Sequence, residues 1–436
     1  MKGKPPNPSQ LHLLKQPLTN LINPKHPLCT LTKRIPWKEI EHHFSGLYAN
    51  TGRPAKPIRL MVSLLILKQL YDLSDEAMID RWVENPYFQF FSGETVFQWE
   101  FPCHPTDLVY FRKRIGEEGV EKIFKISIEL HGKRAQEKEV LVDTTVQEKN
   151  ITFPTDTKLY TRIIAHCVGI ATKERITLRQ SYRRTTKKLM LTQRFRNHPK
   201  NRKKAVAAQR KLKTIAGRLV RELERKLPAS SLGRYSREIA LFQKILEQKR
   251  NSTNKIYSIH EPQVYCISKG KDHKKYEFGS KASIAVTKNS GIIVGAVHFS
   301  TNIYDGHTLP ETLTQTTELV GSRPTVAICD RGYRGKRTID GTTIEIPKNP
   351  GKRTTTYQKQ KARKRFRRRA GIEPIIGHLK SDYRLMRNYL KGSLGDSINL
   401  MLAATAFNFK KLMRQLLDYL FLFFIIHRSR VVASIQ

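Results

Sequence analysis

The chain has 436 residues, 39% of them hydrophobic, which is enough for two or three domains with real cores and excludes a disordered protein. Its 80 Lys and Arg against 37 Asp and Glu leave a net charge of +43, a self-repelling load that calls for a polyanionic partner, nucleic acid first. Five cysteines (Cys29, Cys103, Cys167, Cys266, Cys329) stand singly, which argues against a zinc finger or a disulfide framework and for a reducing compartment.

The opening MKGKPPNPSQ lacks the apolar core of a signal peptide, so a cytoplasmic, nucleoid-associated protein is expected. Residues 1–52, rich in Pro and Asn, read as an extended segment lying over the surface. From Lys56, apolar residues at Ile58, Met61, Leu65, Leu67 and Leu70 recur near the 3.6 period and predict a helix broken at Asp72-Leu73. A second helix opens at Ser74, an N-cap followed by Asp75 and Glu76 where the helix dipole favours acid, and ends near Asn85-Pro86. Two more follow, one from a Thr106 cap to Gly116 and one from about Glu117 to His131. Residues 53–135 therefore form a helical domain. Short helices joined by tight turns fit a DNA reader or a plain bundle equally, and the basic run Arg112, Lys113 and Arg114 supplies its candidate DNA contacts.

After Glu139 the period becomes that of strands. EVLVDTTV is a short β-branched run, and residues 136–172 open a second domain. EFGSKASIAVT and GIIVGAVHFS are joined by Lys288-Asn289-Ser290-Gly291, a hairpin signal. A helix from about His307 to Leu319, the strand TVAICD, the strand TTIEIP and a basic helix complete residues 256–415. The fold class is α/β, a mixed sheet covered by helices.

One segment interrupts that order. Lys173 to Arg250 carries 25 Lys and Arg against five Asp and Glu, and within it Val206, Leu212, Ile215, Leu219 and Leu223 have helical spacing. The expectation is a basic helical insertion over 173–255 that lies along a phosphate backbone, with Arg202, Lys203 and Lys204 among its contacts. LLDYLFLFFII, Leu416 to Ile426, is about half the length of a spanning helix and contains Asp418, so residues 416–436 read as the end of a packing helix and a tail, with no membrane partner.

Carboxylates close two of the predicted strands, Asp143 in VLVDTTV and Asp330 in AICDRGYRG. Glu373 is the only acid in KARKRFRRRAGIEPIIGHLK, on the helix that follows. Three such groups from distant positions converge only around cations, and hard oxygen ligands suit Mg2+, with Mn2+ as a substitute. Two ions activate the attacking oxygen and stabilise the leaving one at phosphorus, which needs no Ser-His-Asp or Cys-His arrangement. An Asp closing a strand is also a common turn or cap residue, and Arg369, four residues before Glu373, offers it a simple ion pair. Glu148, Asp156, Asp305, Asp340 and Asp382 are rival acids near other element ends. Pro374 disfavours helical geometry at Glu373, which is therefore expected at a helix start or kink.

These blocks resemble the DDE transposases of bacterial insertion sequences, and among them the group called family five. That group's signature is Tyr, two residues, Arg, three residues, Glu, six residues, Lys, and here Arg369, Glu373 and Lys380 fall at those intervals with Phe366 at the Tyr position. VDTTVQEKNITFPTD and CDRGYRG are similar to its two Asp blocks, and the likeness runs from about Arg53 to Leu412. The resemblance implies a ribonuclease H-like catalytic fold with Asp143, Asp330 and Glu373 as metal-binding and catalytic triad, and Arg369 and Lys380 as contacts to the transposon end. It further implies a homodimer on DNA that cleaves at inverted repeats and joins the 3′ hydroxyls to target DNA. A nuclease without strand transfer and a catalytically lapsed DNA-binding descendant are the rival readings. Relatives can carry a large insertion between the second Asp and the Glu, but only 42 residues separate Asp330 from Glu373 here, and the extra material follows the first strand.

Overall fold

The computed structural model describes residues 3, 16–49, 51–249, 251–268, 274–347 and 354–433. It divides into two compact units, Met1–Glu148 with Ser280–Gln436, and Lys149–Gly279.

The first unit begins with helices. α1 (Pro27–Arg34) and α2 (Trp37–Ser45) lie where an extended segment is expected, and both are preceded or opened by a proline, which suits a first helical turn. Residues 4–15 of the expected segment lie outside the described residues. α3 (Ile58–Leu70) buries every residue except Arg59, which makes it the central rod of this part. α4 (Asp75–Glu84) starts at the Ser74 cap, whose hydroxyl accepts from the Ala77 amide at 3.0 Å. α5 (Pro86–Phe91) follows, and α6 (Pro105–Glu129) runs through the two helices expected on either side of Gly116. The chain bends at Gly116 with φ 63°, a conformation open to glycine. The cap of α6 is His104, not Thr106: its Nδ1 accepts from the Thr106 amide while Asp107 accepts from the His104 amide, and Pro105 takes the first helical position.

Among the described residues the strands are β1 (Glu139–Lys149), β2 (Tyr265–Ser268), β3 (Tyr276–Thr287), β4 (Ile293–Phe299), β5 (Val326–Ile328), β6 (Thr338–Ile339), β7 (Thr342–Glu345) and β8 (Arg387–Asn388). In the first unit the order is β4-β3-β1-β5-β7-β6, with β8 also on β1. β1, β5 and β7 are mutually parallel, and β3 and β4 are an antiparallel hairpin. The sheet is thus mixed, as expected. Its apolar residues, Val140 to Val142, Ile284 to Val286, Ile292 to Val294 and Ala327 to Cys329, join the helical residues of the same unit in one buried cluster.

In the second unit, α7 (Asp156–Lys173), α8 (Arg183–Thr192), α9 (Pro199–Lys226) and α10 (Ala229–Glu247) are followed by β2, which pairs with the first residues of β3. The helices close on their own core, with Leu212, Ile215, Leu219 and Leu223 of α9 buried against Ile163 and Cys167 of α7 and Phe242 of α10. Val206, expected in that stripe, is exposed. The expected insertion over 173–255 falls inside this unit, which also takes in α7.

The rest of the first unit is α11 (Asp305–Val320) after β4, α12 (Thr356–Arg369), α13 (Ile372–Asp382) and α14 (Gly392–Ala433). α11 lies on β4, and α14 packs against α3, α6 and β4. Asn408 of α14, fully buried, bonds both backbone groups of Ile293 and the Ser127 hydroxyl. Packing of the Leu416–Ile426 segment lies outside the described side chains. Among the described residues no helix is long and apolar enough to cross a membrane.

Candidate active site

Pairing fixes the first two acids. Leu141 of β1 pairs with Ile328 of β5 in the last rung of the parallel register, and Asp143 and Asp330 each follow two residues beyond it. Residues level with each other across a parallel pair project to the same face. Asp143 itself stands in the middle of β1 and not at its end as expected. The strand continues because its later residues find other partners: Gln147 is fully buried, donates to the Asp396 carbonyl at 3.1 Å and accepts from Asn399 at 2.9 Å. Asp330 is both a strand-end acid and a cap, its Oδ1 accepting from the Gly332 amide at 2.7 Å.

Glu373 is the second residue of α13, at the helix start that Pro374 favours. The preceding helix delivers Arg369. α12 opens on a Thr355 capping box and is anchored at its far end by Arg368, which donates to the carbonyls of Lys288 and Asn289 in the β3–β4 turn at 3.2 and 3.3 Å. Arg369 follows as the last residue of α12.

Its guanidinium touches all three acids. Nη2 is 3.2 Å from Asp143 Oδ2 and 3.9 Å from Asp330 Oδ2, and Nη1 is 3.8 Å from Glu373 Oε1. Side-chain exposure grades from 16% at Asp143 through 36% at Asp330 to 63% at Glu373, so the site is deep at the sheet and open at the helix. Burial pushes the Asp143 carboxyl up, against the pull of Arg369 and of the Thr144 amide, and the Asp330 charge adds to the push. Tyr333, buried beside these acids, has its hydroxyl raised well above the usual phenol range, chiefly by the same desolvation. Among the described residues, no group of three or more His, Cys, Asp or Glu side chains is close enough together to hold a metal ion as it stands. The expected shared cage is therefore not closed: the acids meet on a guanidinium, and the most exposed of them, Glu373, stands on its outer side. The oxygen-only donor set, gathered on one cation, still fits a hard divalent ion in its chemistry.

The other expected DNA contacts fall differently. Arg112 is buried and forks Asp75, with Nη1 at 2.9 Å and Nη2 at 2.6 Å, while Lys68 reaches the same carboxylate at 2.6 Å. It is a core residue, out of reach of a phosphate. Burial favours the neutral Asp75, but the Arg112 fork and Lys68 outweigh it and hold the carboxyl at about 2. Lys113 and Arg114 are exposed, the latter stacked 4.7 Å over the Tyr48 ring. Arg202, Lys203 and Lys204 are exposed within the first two turns of α9, and Lys380 is half-buried in the last turn of α13. Phe366 packs partly buried against the core, so the ring of the signature position is used in packing.

Sequence reasoning counted Asp305 only as a rival acid. It opens α11 and accepts from the Thr144 hydroxyl at 2.7 Å and from Lys281 at 2.9 Å. Its signal was its place at a helix start after a strand, which many residues share.

An aspartate on β1, an aspartate just past the neighbouring parallel β5, a glutamate on a later helix and a basic side chain among them are the arrangement expected of a DDE site. Residues 16–114 match the family described as a transposase domain (DUF772), and residues 252–409 match a transposase DDE domain. An uncharacterized protein, ORF8 of the nfe locus of Rhizobium meliloti, is 43% identical over 193 residues, which is 43% of this chain and 93% of that protein. No solved structure matches. The chain belongs to the DDE transposases of insertion sequences. Membership implies a ribonuclease H-like catalytic fold, DNA as partner and divalent-metal chemistry.

Proposed function

We propose that the protein binds the terminal inverted repeats of an insertion sequence of family five, cleaves the DNA there and joins the 3′-hydroxyl ends to target DNA. The observation that supports this is the gathering of Asp143, Asp330 and Glu373 on the single cation Arg369. These three carboxylates would hold Mg2+, with Mn2+ as a substitute. When bound, such ions activate the attacking oxygen and stabilise the leaving one in an in-line displacement.

The chain's own residues do the positioning. Asp143 and Asp330 present their oxygens from a rigid sheet, and Glu373 closes from the first turn of α13. Cleavage forms a bond from water to phosphorus and breaks the bond to the 3′ oxygen, which leaves as a hydroxyl. In joining, that hydroxyl forms the new phosphodiester and the target strand's 3′ oxygen leaves. Arg369 exchanges its carboxylates for a phosphate of the transposon end, and Lys380, seven residues beyond Glu373, lies two helical turns along the same face to hold the next stretch of backbone. Lys113 and Arg114 serve the helical part, and Arg202, Lys203 and Lys204 lay α9 along a phosphate backbone. A homodimer on DNA pairs the two ends.

Pre-cleaved inverted-repeat ends, a plasmid target and Mg2+ test the reading. Joined product is expected from the native chain, and none from Asp330→Ala, which still binds ends. Hydrolysis of uncut ends without joining would reduce the protein to a nuclease, and an unaltered Asp330→Ala would leave DNA binding alone.

A further inference from the structure

Behind the three acids lies a second, more enclosed set of polar side chains. Lys281 of β3 has a side chain only 9% exposed, and its ammonium is held by the Ile303 carbonyl at 2.5 Å and Asp305 Oδ1 at 2.9 Å. The same Asp305 oxygen accepts from the Thr144 hydroxyl at 2.7 Å. Thr144 in turn donates its backbone N–H to Asp143 Oδ1 at 2.8 Å. The links form one chain: Lys281 fixes Asp305, Asp305 fixes Thr144, and Thr144 orients the carboxylate of Asp143.

The other Asp305 oxygen points toward the second acid. A methyl group built on Gly332 would stand 2.9 Å from Asp330 Oδ1 and 3.2 Å from Asp305 Oδ2. Gly332 therefore lets the Asp330 turn close against Asp305. A fourth carboxylate in this neighbourhood adds negative charge, and Lys281 supplies the compensation.

We propose that Asp305 is a positioning residue of the DDE site, acting through Thr144 on Asp143, with Lys281 as its fixed counter-charge. This rests on the reading of Asp143, Asp330 and Glu373 as the divalent-metal site. Partners that orient a ligating group without touching the metal typically alter metal affinity or activity by about 10- to 100-fold when lost. Free Lys–Asp pairs that only brace a fold alter stability and leave metal affinity alone.

The experiment titrates the full-length, DNA-free protein with Mn2+, reading free Mn2+ by electron paramagnetic resonance, and follows thermal unfolding in parallel. Thr144→Val keeps the shape and removes the donor. It is expected to bind Mn2+ about tenfold more weakly at a near-native melting temperature, with Thr144→Ser restoring native affinity and Asp305→Asn weakening it likewise. If Asp305→Asn does not fold, the threonine pair decides the question. Thr144→Val with native Mn2+ affinity would overturn the proposal. Asp143→Ala separates the two readings. It must lose Mn2+ uptake. If it does not, or if neither the native chain nor Arg369→Gln takes up any, the metal site itself is refuted and this inference with it.

Discussion

Arg369 Nη2 lies 3.2 Å from Asp143 Oδ2, and the same guanidinium reaches Asp330 and Glu373, so one arginine faces all three acids of the proposed metal site. A divalent ion taking the same three oxygens would have to displace Arg369 from them. DNA phosphates that draw Arg369 away would therefore favour metal uptake. Arg369→Gln is expected to raise the Mn2+ affinity of the DNA-free protein severalfold and to weaken binding to inverted-repeat ends. Calorimetric titration with Mn2+ and gel-shift titration with end DNA check the two halves.

Arg112 is expected to matter for folding rather than for DNA. Removing it leaves Asp75 buried with only Lys68 as partner, and breaking such a buried pair costs about 3 kcal/mol or more. Arg112→Ala should lower the unfolding free energy by that amount, read from urea denaturation. On protein that remains folded, the salt dependence of end binding should match the native one.

His131 is buried, its Nε2 set against the Asn408 carbonyl at 3.1 Å, and burial pulls its pKa from 6.5 to about 4, helped by Lys411 and Arg134. Between those values the unfolded chain binds a proton that the folded chain refuses. Stability from this group is complete above pH 6.5 and declines as pH falls toward 4, by a few kcal/mol at most. Urea denaturation at intervals across that window should show the decline, and His131→Gln should flatten it.

The exposed cations of α9 are expected to bear on affinity and not on folding. Changing Arg202, Lys203 and Lys204 together to Gln should leave the melting temperature unaltered and reduce the slope of log affinity against log salt by about 2 to 3. A native slope would remove α9 from the DNA-binding surface.

Much of this was legible in the sequence, for identifiable reasons. The β-branched runs of β1 and β5, the Lys288–Gly291 turn and the Ser74 cap are local signals, and each marks an element that formed, β1 running longer than expected. Pro374 marked the helix start that places Glu373. What escaped depends on partners far away in the chain. β1 runs past Asp143 because Gln147 meets Asp396 and Asn399, some 250 residues on, and no local pattern announces that. Arg112 looked like one of three surface cations until Asp75 and Lys68 enclosed it. α1 and α2 were hidden by prolines that, at a first helical turn, start helices instead of breaking them. Asp305 gains its meaning only from Thr144 and Lys281, which the fold brings together from two other strands.

The parallel rung shared by β1 and β5 has an evolutionary consequence. Because main-chain pairing of β1 with β5 ends two residues before Asp143 and Asp330 and fixes where both segments leave it, apolar residues around them can drift in size and shape without moving the two acids apart. Sequence divergence should then accumulate in the surrounding core faster than in reactivity. A deletion of one residue between Leu141 and Asp143, by contrast, would turn the acid to the opposite side of the sheet and silence the protein in a single step.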